Sequence, residues 1–464
     1  MTQDDALAIL KTGANVFLTG EPGSGKSYTV NAYVDYLKRN GIPVAITAST
    51  GIAATHIGGV TIHAWSGIGI KATLSKYDLD RIASNEYVVK RMRKAKVLII
   101  DEVSMLSAET ITMVDLVCRE VLNPSQPFGG LQVVLVGDFF QLPPVMKSYQ
   151  KPSQGLFGDT KAPRFAYDAG VWEDAQFLTC YLTEQHRQDD VVLLDLLSAV
   201  RRNEVEDVHF EAVASRRIAE DEAPDMTKLY THNADVDRIN SELLDAIDED
   251  ERTYAMTSRG APKLVEGIKK GCLSPEQLSV KVGARVMFTK NNQRVGYVNG
   301  TIGTVIGFSE WDKYPIVETL DGKTVTAEPL EWTIEEGGKV RAAVAQIPLR
   351  LAWAITVHKS QGMTLDAAVL DLRSVFEYGQ GYVALSRVRS LEGLYLLGWN
   401  ARTFEVHPEV VMKDLVFRNA SEEAARAFNA LPQEELAQLH TNFVTAASTG
   451  KPEIPQTVAE DPEW

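Results

Sequence analysis

Cysteine is scarce in this chain, with three in 464 residues, at positions 118, 180 and 272. Widely separated and odd in number, the three form no metal cluster and fit a reducing cytoplasm better than a disulfide framework. Each is expected as a small buried side chain rather than a nucleophile. Long hydrophobic runs are missing too. No stretch reaches the roughly 20 residues that a membrane-spanning helix needs. Met1-Thr2-Gln3-Asp4-Asp5 also lacks the basic start of a secretory signal. The expectation is a soluble cytoplasmic protein with no membrane partner. Positive charge is in deficit as well: 47 Lys and Arg face 62 Asp and Glu, a formal net charge of -15. Taken globally, that argues against a polyanion partner. The distribution is uneven, however. Residues 71–96 are rich in Lys and Arg, whereas 204–225 and 245–251 are rich in acids, so a basic channel inside an acidic exterior stays open.

What is present centres on Gly20-Glu21-Pro22-Gly23-Ser24-Gly25-Lys26-Ser27. An apolar run, Val16-Phe17-Leu18, precedes it and a helical pattern from Tyr28 to Lys38 follows. Strand, glycine turn and helix in that order are what a triphosphate-binding loop requires. Its glycines, Gly20, Gly23 and Gly25, together with Pro22 and Ser24, shape a backbone whose N–H groups turn towards phosphate oxygens. The helix N-terminus adds its positive end. Lys26 is expected at the β- and γ-phosphates, and Ser27 is expected to offer its hydroxyl to Mg²⁺.

Further along, Val44–Ala48 reads as a parallel strand and Ser49-Thr50-Gly51 as the junction beyond it, where open α/β sheets bind ligands. His63 and Trp65 follow, the tryptophan being as well explained by a core position. Val97-Leu98-Ile99-Ile100 is a short apolar strand ending in Asp101-Glu102. Downstream of a phosphate loop, Asp101 can hold Mg²⁺ directly or through water. Glu102 can orient and deprotonate an attacking water. A third strand, Leu131–Val136, leads to Gly137-Asp138-Phe139-Phe140-Gln141, and Gln141 can read a γ-phosphate. Residues 147–155 read as an exposed loop. From about Gly283 the texture changes to short β-like runs with turns at Asn299-Gly300 and Asp321-Gly322. The α/β pattern then returns at Ala354–Gly362.

Assembled, these motifs resemble those of superfamily 1B DNA helicases, the petite-integration-frequency family and its RecD-like relatives. Asp101-Glu102-Val103-Ser104-Met105-Leu106, Pro127-Phe128-Gly129-Gly130, Val298-Asn299-Gly300-Thr301, Val357-His358-Lys359-Ser360-Gln361-Gly362 and Tyr382-Val383-Ala384-Leu385-Ser386-Arg387 carry the likeness. The resemblance implies an α/β fold of two RecA-like P-loop motor domains, residues 1–180 and 181–415. It places a small pin-bearing insertion at 69–96 and an SH3-like β-barrel insertion at 291–345. Residues 416–464 lie outside it, as a C-terminal helix and a flexible tail. By the same resemblance Gln3 reads adenine, Tyr28 and Gly362 join the nucleotide site, and Arg187 and Arg387 contact the transferring phosphate. Thr50, His63, Thr356 and His358 become DNA contacts. The implied activity is ATP-dependent 5′-to-3′ movement on single-stranded DNA with duplex unwinding, by a chain that is monomeric when free and associated with a bacterial nucleoid. A DNA-stimulated translocase that remodels protein–DNA complexes without processive unwinding is the alternative. Single strands and strand–duplex junctions are the expected partners, with four-stranded guanine structures and R-loops left open.

Overall fold

The computed structural model describes residues 1–69, 71, 73–144, 164–184, 190–224, 226–290, 292, 294–297, 299–320, 322–336, 339–363 and 365–448. The exposed loop expected at 147–155 lies outside the described residues.

Six parallel strands form the first sheet: β1 (Val16–Gly20), β2 (Val44–Ala48), β3 (Val60–Thr61), β4 (Val97–Asp101), β5 (Gln132–Val136) and β6 (Leu178–Leu182). Their order is β3-β2-β4-β5-β1-β6. β1 and β5 are buried along their whole length, as continuous apolar runs covered on both faces should be. Register sets the ligand edge: Ala48 of β2 pairs with Asp101 of β4, and Leu18 of β1 with Val136 of β5. The strand ends that bear the sequence motifs therefore share one rim.

The basic stretch 71–96 folds into two short helices, Lys76–Ala83 and Glu86–Lys94, capped by Ser75 and Asn85. Ile82, Val88 and Met92 are buried against the first motor, as is Trp65, which is a core residue. The basic side chains divide. Arg91 turns inward to donate to the Trp65 and Ala64 carbonyls at 2.7 and 2.5 Å, while Arg93, Lys94 and Lys96 are exposed. Pro127–Gly130 precedes β5 at the far edge of the sheet. There a Cβ on Gly129 would lie 2.5 Å from the Cys118 carbonyl, so the motif sets a tight turn. Cys118 and Cys180 are buried and Cys272 is half-buried. Burial raises all three thiols, Cys180 to about 12 and Cys272 to about 11.

A second parallel sheet orders its strands as Ala354–Thr356, Lys228–Tyr230, Ala368–Leu372 and Leu394–Trp399. Between its parts the β-rich region differs from the single insertion expected at 291–345. One five-stranded antiparallel sheet takes Arg285–Phe288, Ile302–Phe308, Pro315–Thr319, Thr324–Thr326 and Leu349–Leu351. Leu330–Glu336 and Lys339–Gln346 instead join Thr257–Gly260 in a separate three-stranded sheet. Val286, Phe288, Val305, Val317 and Leu349 form the core of the larger sheet, so its strands begin before 291 and end after 345.

The C-terminal expectation also changes. The helix Pro408–Asn429 starts before residue 416 and places Phe417 4.9 Å from Phe17 and 6.1 Å from Phe139, inside the first motor's aromatic core. A second helix, Gln433–Ala447, follows, and His440 lies 2.9 Å from the Ala8 carbonyl. β6 likewise runs past residue 180 while pairing with β1. The chain thus leaves the first motor, builds the second, and returns to complete the first.

Candidate active site

The cleft is shaped first by backbone. Gly20 ends β1 with φ 146°, where a Cβ would lie 2.6 Å from the Leu182 carbonyl oxygen. Gly25 turns with φ 88° into the helix Lys26–Arg39, where any Cβ would overlap the Gln3 side chain. Only glycine suits both positions. Gln3 donates its side-chain amide to the Ser24 carbonyl at 3.3 Å and its N–H to the Glu184 carboxylate at 3.0 Å, so it rests against the loop itself. Lys26 donates to the carbonyls of Gly20 and Glu21 at 2.7 and 3.0 Å.

A cleft of about 280 Å³ faces this loop. Pro22, Gly23, Gly25, Lys26, Ser27 and Tyr28 form one wall. Glu102 and Gln141 come from the ends of β4 and β5, and Gly362 and Arg387 come from the second motor. Tyr28 is 69% exposed at its mouth. Glu102 has φ 51°, a left-handed backbone that costs a side-chain-bearing residue roughly 1–3 kcal/mol and persists where its surroundings over-determine it. Its N–H donates to Asp101 Oδ1 at 2.9 Å. Burial lifts both carboxyls. Asp101 is held above its ordinary value, with the Glu102 N–H and Lys26 opposing. Glu102 is pushed up to about 7, by burial first and then by Asp101, with Lys26 and Arg387 opposing.

The second motor grips the same carboxylate. Gln361 Nε2 donates to Glu102 Oε2 at 3.0 Å and to Gln141 Oε1 at 3.3 Å. Arg387 is buried against the cleft wall. It donates to the carbonyls of Val383 at 2.8 Å, Met363 at 3.2 Å and Ser360 at 3.4 Å, and to the Ser386 hydroxyl at 2.7 Å. Those fixed acceptors hold the guanidinium in place before any ligand arrives. Arg187 lies outside the described residues.

Behind the cleft stands a residue that the sequence reading passed over. Arg201, on the helix Val191–Arg202, is 2% exposed and donates through one nitrogen to both Asp138 oxygens at 2.9 and 2.8 Å. It also donates to the hydroxyls of Tyr382 and Tyr181, at 2.9 and 2.6 Å, and covers the Phe140 ring at 4.1 Å. Asp138 Oδ2 in turn lies 3.5 Å from Gln141 Nε2. Arg418, on the returning C-terminal helix, reaches the same Tyr181 hydroxyl at 2.6 Å. A signal for Arg201 was in the sequence: Leu193, Leu197 and Arg201 recur at four-residue spacing, which puts the arginine on the helix's buried face.

Of the four expected DNA contacts, Thr50, His63 and His358 follow parallel strands and Thr356 ends one, and they differ in access. Thr50 is half-buried and caps the turn into Gly51–His56, accepting from the Ala53 N–H at 3.2 Å. His63 is half-buried, and burial lowers its imidazole below the ordinary value. Thr356 is 2% exposed, with its hydroxyl accepting from the Lys359 N–H at 3.3 Å. In this conformation it shapes a turn rather than presenting itself to a ligand. His358 is half-buried at the rim.

Among the described residues, no group of three or more His, Cys, Asp or Glu could hold a metal ion. Ser27 and Asp101 still offer a hydroxyl and a carboxylate. Those donors suit Mg²⁺, which keeps several waters and completes its shell with substrate phosphates.

A phosphate loop on one parallel sheet, closed over by Gly362 and an arginine from another, defines a P-loop motor ATPase with two RecA-like domains. Residues 5–191 match the family described as PIF1-like helicase, and 263–308 match that of the DNA helicase Pif1 2B domain. The chain is 42% identical to the ATP-dependent DNA helicase Pif1 of a Psychrobacter species, across 96% of this chain and 75% of that one. The crystal structure of Bacteroides sp. Pif1 in complex with ADP-AlF4 is similar at a TM-score of 0.77 and 30% identity, covering 90% and 96% of the two chains. Bacteroides Pif1 bound to single-stranded DNA gives 0.65 and 31%, covering 91% and 97%. The chain belongs to the PIF1-like helicase family.

Proposed function

We propose that this protein is an ATP-dependent DNA helicase. It moves 5′-to-3′ on single-stranded DNA and opens duplex at strand–duplex junctions. The observation that carries the reading is the cleft itself, in which Glu102 and Lys26 of one motor face Arg387 and Gln361 of the other. Hydrolysis there is coupled to the spacing of the two domains, which is what a stepping motor needs. Family membership supports the choice of substrate.

In this mechanism Lys26 and the loop N–H groups bind the β- and γ-phosphates, and Glu102 orients the attacking water and takes its proton. Attack on phosphorus needs no covalent enzyme intermediate, so catalysis rests on positioning and charge stabilisation. Mg²⁺, held by Ser27 and by Asp101 directly or through water, would neutralise phosphate charge. Arg387, joined by Arg187, meets the charge that redistributes in the transition state. Gln141 senses the γ-phosphate and passes its loss to Gln361 and Asp138. Gln3 and Tyr28 border the space for the base.

The test is unwinding of matched forked duplexes carrying a single 5′ or 3′ tail. Strand separation confined to the 5′-tailed fork supports the proposal, and separation confined to the 3′-tailed fork overturns its polarity. DNA-stimulated ATP turnover with no unwinding of either fork would favour a translocase. R-loop and four-stranded guanine substrates in the same assay rank substrate preference.

A further inference from the structure

The short helix Gln380–Leu385 lies between the two groups assigned to the γ-phosphate from opposite motors, Gln141 and Arg387. At its start Gly379 turns with φ 76°, and a Cβ there would lie 2.4 Å from the Phe140 carbonyl oxygen and 2.7 Å from that of Gln141. The second motor's backbone thus rests directly on the sensor segment, and only glycine permits the approach. Just past the other end, Arg387 is fastened back onto the helix. Its Nε donates to the Val383 carbonyl at 2.8 Å, and Nη2 donates to the Ser386 hydroxyl at 2.7 Å. A shift of the helix therefore carries the guanidinium with it.

Arg201 ties this helix to the sensor a second time. Its Nη1 donates to both Asp138 carboxylate oxygens and to the hydroxyl of Tyr382 on the helix. Asp138 holds the sensor segment in turn, its carboxylate accepting from the Phe140 N–H at 3.2 Å and its carbonyl from the Gln141 N–H at 3.0 Å. Stability alone does not call for such a group, since apolar residues of similar size often match or better a buried ion pair. The remaining nitrogen, Nε, makes no hydrogen bond among the described residues, and Glu21 of the phosphate loop stands 3.9 Å from it. A buried donor left unpaired is costly, and an approach of about 1 Å by the loop would bring the carboxylate to hydrogen-bonding distance. Arg201 thus stands between phosphate loop, sensor and arginine helix with one bond still to make.

We propose that Arg201 is a positioning residue for ATP hydrolysis, which makes the γ-phosphate sensor and the helix carrying Arg387 move as one unit. The inference rests on the two-motor reading above and adds the part that joins the motors behind the nucleotide. Arg201 does not line the cleft and acts through Arg387. Loss of the γ-phosphate at Gln141 reaches Asp138, and Arg201 passes it through Tyr382 to the helix, which withdraws the arginine. In the other direction, closure of the motors on ATP seats sensor and arginine together.

The experiment is a double-mutant cycle on single-turnover hydrolysis, using preformed protein–DNA–ATP complexes of the unmodified protein, Arg201→Lys, Arg387→Ala and the two combined. Arg201→Lys keeps a charge beside Asp138 but loses the planar fork that also reaches the two tyrosines. It should slow the step about 10- to 100-fold, as a misplacement of about 1 Å does, with ATP Kd changed less than about 3-fold. In the Arg387→Ala background the same substitution should slow it less than about 2-fold, because residues that act through one another are not additive. Equal slowing in both backgrounds would make Arg201 a purely structural group, and no slowing in either would detach it from the reaction; both overturn the proposal. Arg387→Ala at the unmodified rate would instead overturn the two-motor site on which the proposal rests. Should Arg201→Lys fail to melt cooperatively, Tyr382→Phe carries the same cycle, since it removes one hydroxyl and leaves the charge pair intact.

Discussion

Gln361 on the second motor donates its side-chain amide to the Glu102 carboxylate on the first at 3.0 Å, joining residues 259 positions apart. The same amide nitrogen reaches Gln141, so one side chain touches both the proposed base and the proposed phosphate sensor. Gln361→Ala should lower DNA-stimulated ATP turnover roughly 10-fold or more, less than the ~100-fold or more expected for loss of the base that it positions, while leaving ATP affinity nearly unchanged. Gln361→Glu should be worse, since it sets a like charge against Glu102. Steady-state kinetics at saturating DNA read both, and an unchanged turnover in the alanine variant would detach Gln361 from the reaction.

Glu102→Gln keeps the side-chain size and removes the base. Turnover should fall by at least about 100-fold, with ATP and single-strand binding retained. Lys26→Ala should differ by weakening triphosphate binding as well. Rapid-quench hydrolysis paired with equilibrium nucleotide binding distinguishes the two. Glu102→Gln turnover within a few-fold of the unmodified rate would mean that another group takes the proton.

Arg201 is a buried charge held by a carboxylate and two tyrosine hydroxyls. Arg201→Met leaves Asp138 charged and unpaired, and breaking a buried pair in this way costs about 3–5 kcal/mol. Tyr382→Phe removes one hydrogen bond to the guanidinium, about 1.5–3 kcal/mol. Denaturant titration of the first unfolding transition should rank the variants in that order. A methionine variant as stable as the unmodified protein would show that the network does not hold the motors together.

The phosphate loop and Asp101-Glu102 were legible in the sequence because each is a local event, a strand running directly into its loop. Gln361 was inside a recognised motif, but its partner lies on another domain, and no spacing rule reports that. Asp138 was hidden for the same reason, whereas the helical spacing that buries Arg201 was present and only its partners were not legible. The β-rich interval was recognised as strands but divided wrongly. Thr257–Gly260 precedes it by tens of residues and still claims Ala342–Ala345 as partners, a pairing that register within the interval cannot reveal. Thr356 shows the converse. Its motif was clear, yet its side chain is buried and its hydroxyl accepts from the Lys359 N–H of the turn.

The central claim is that one active site is assembled from two motors, and Arg387 tests it most directly. Single-turnover hydrolysis would be measured on preformed protein–DNA–ATP complexes for Arg387→Ala. The control is Arg389→Ala, whose native side chain is exposed and paired with Asp366 at 3.0 Å. Melting and single-strand affinity would be followed in parallel. The account predicts that Arg387→Ala slows the chemical step by about 100-fold or more while ATP stays bound, and that Arg389→Ala changes it by less than about 3-fold. A folded, DNA-bound Arg387→Ala protein that hydrolyses ATP at the unmodified rate would contradict it.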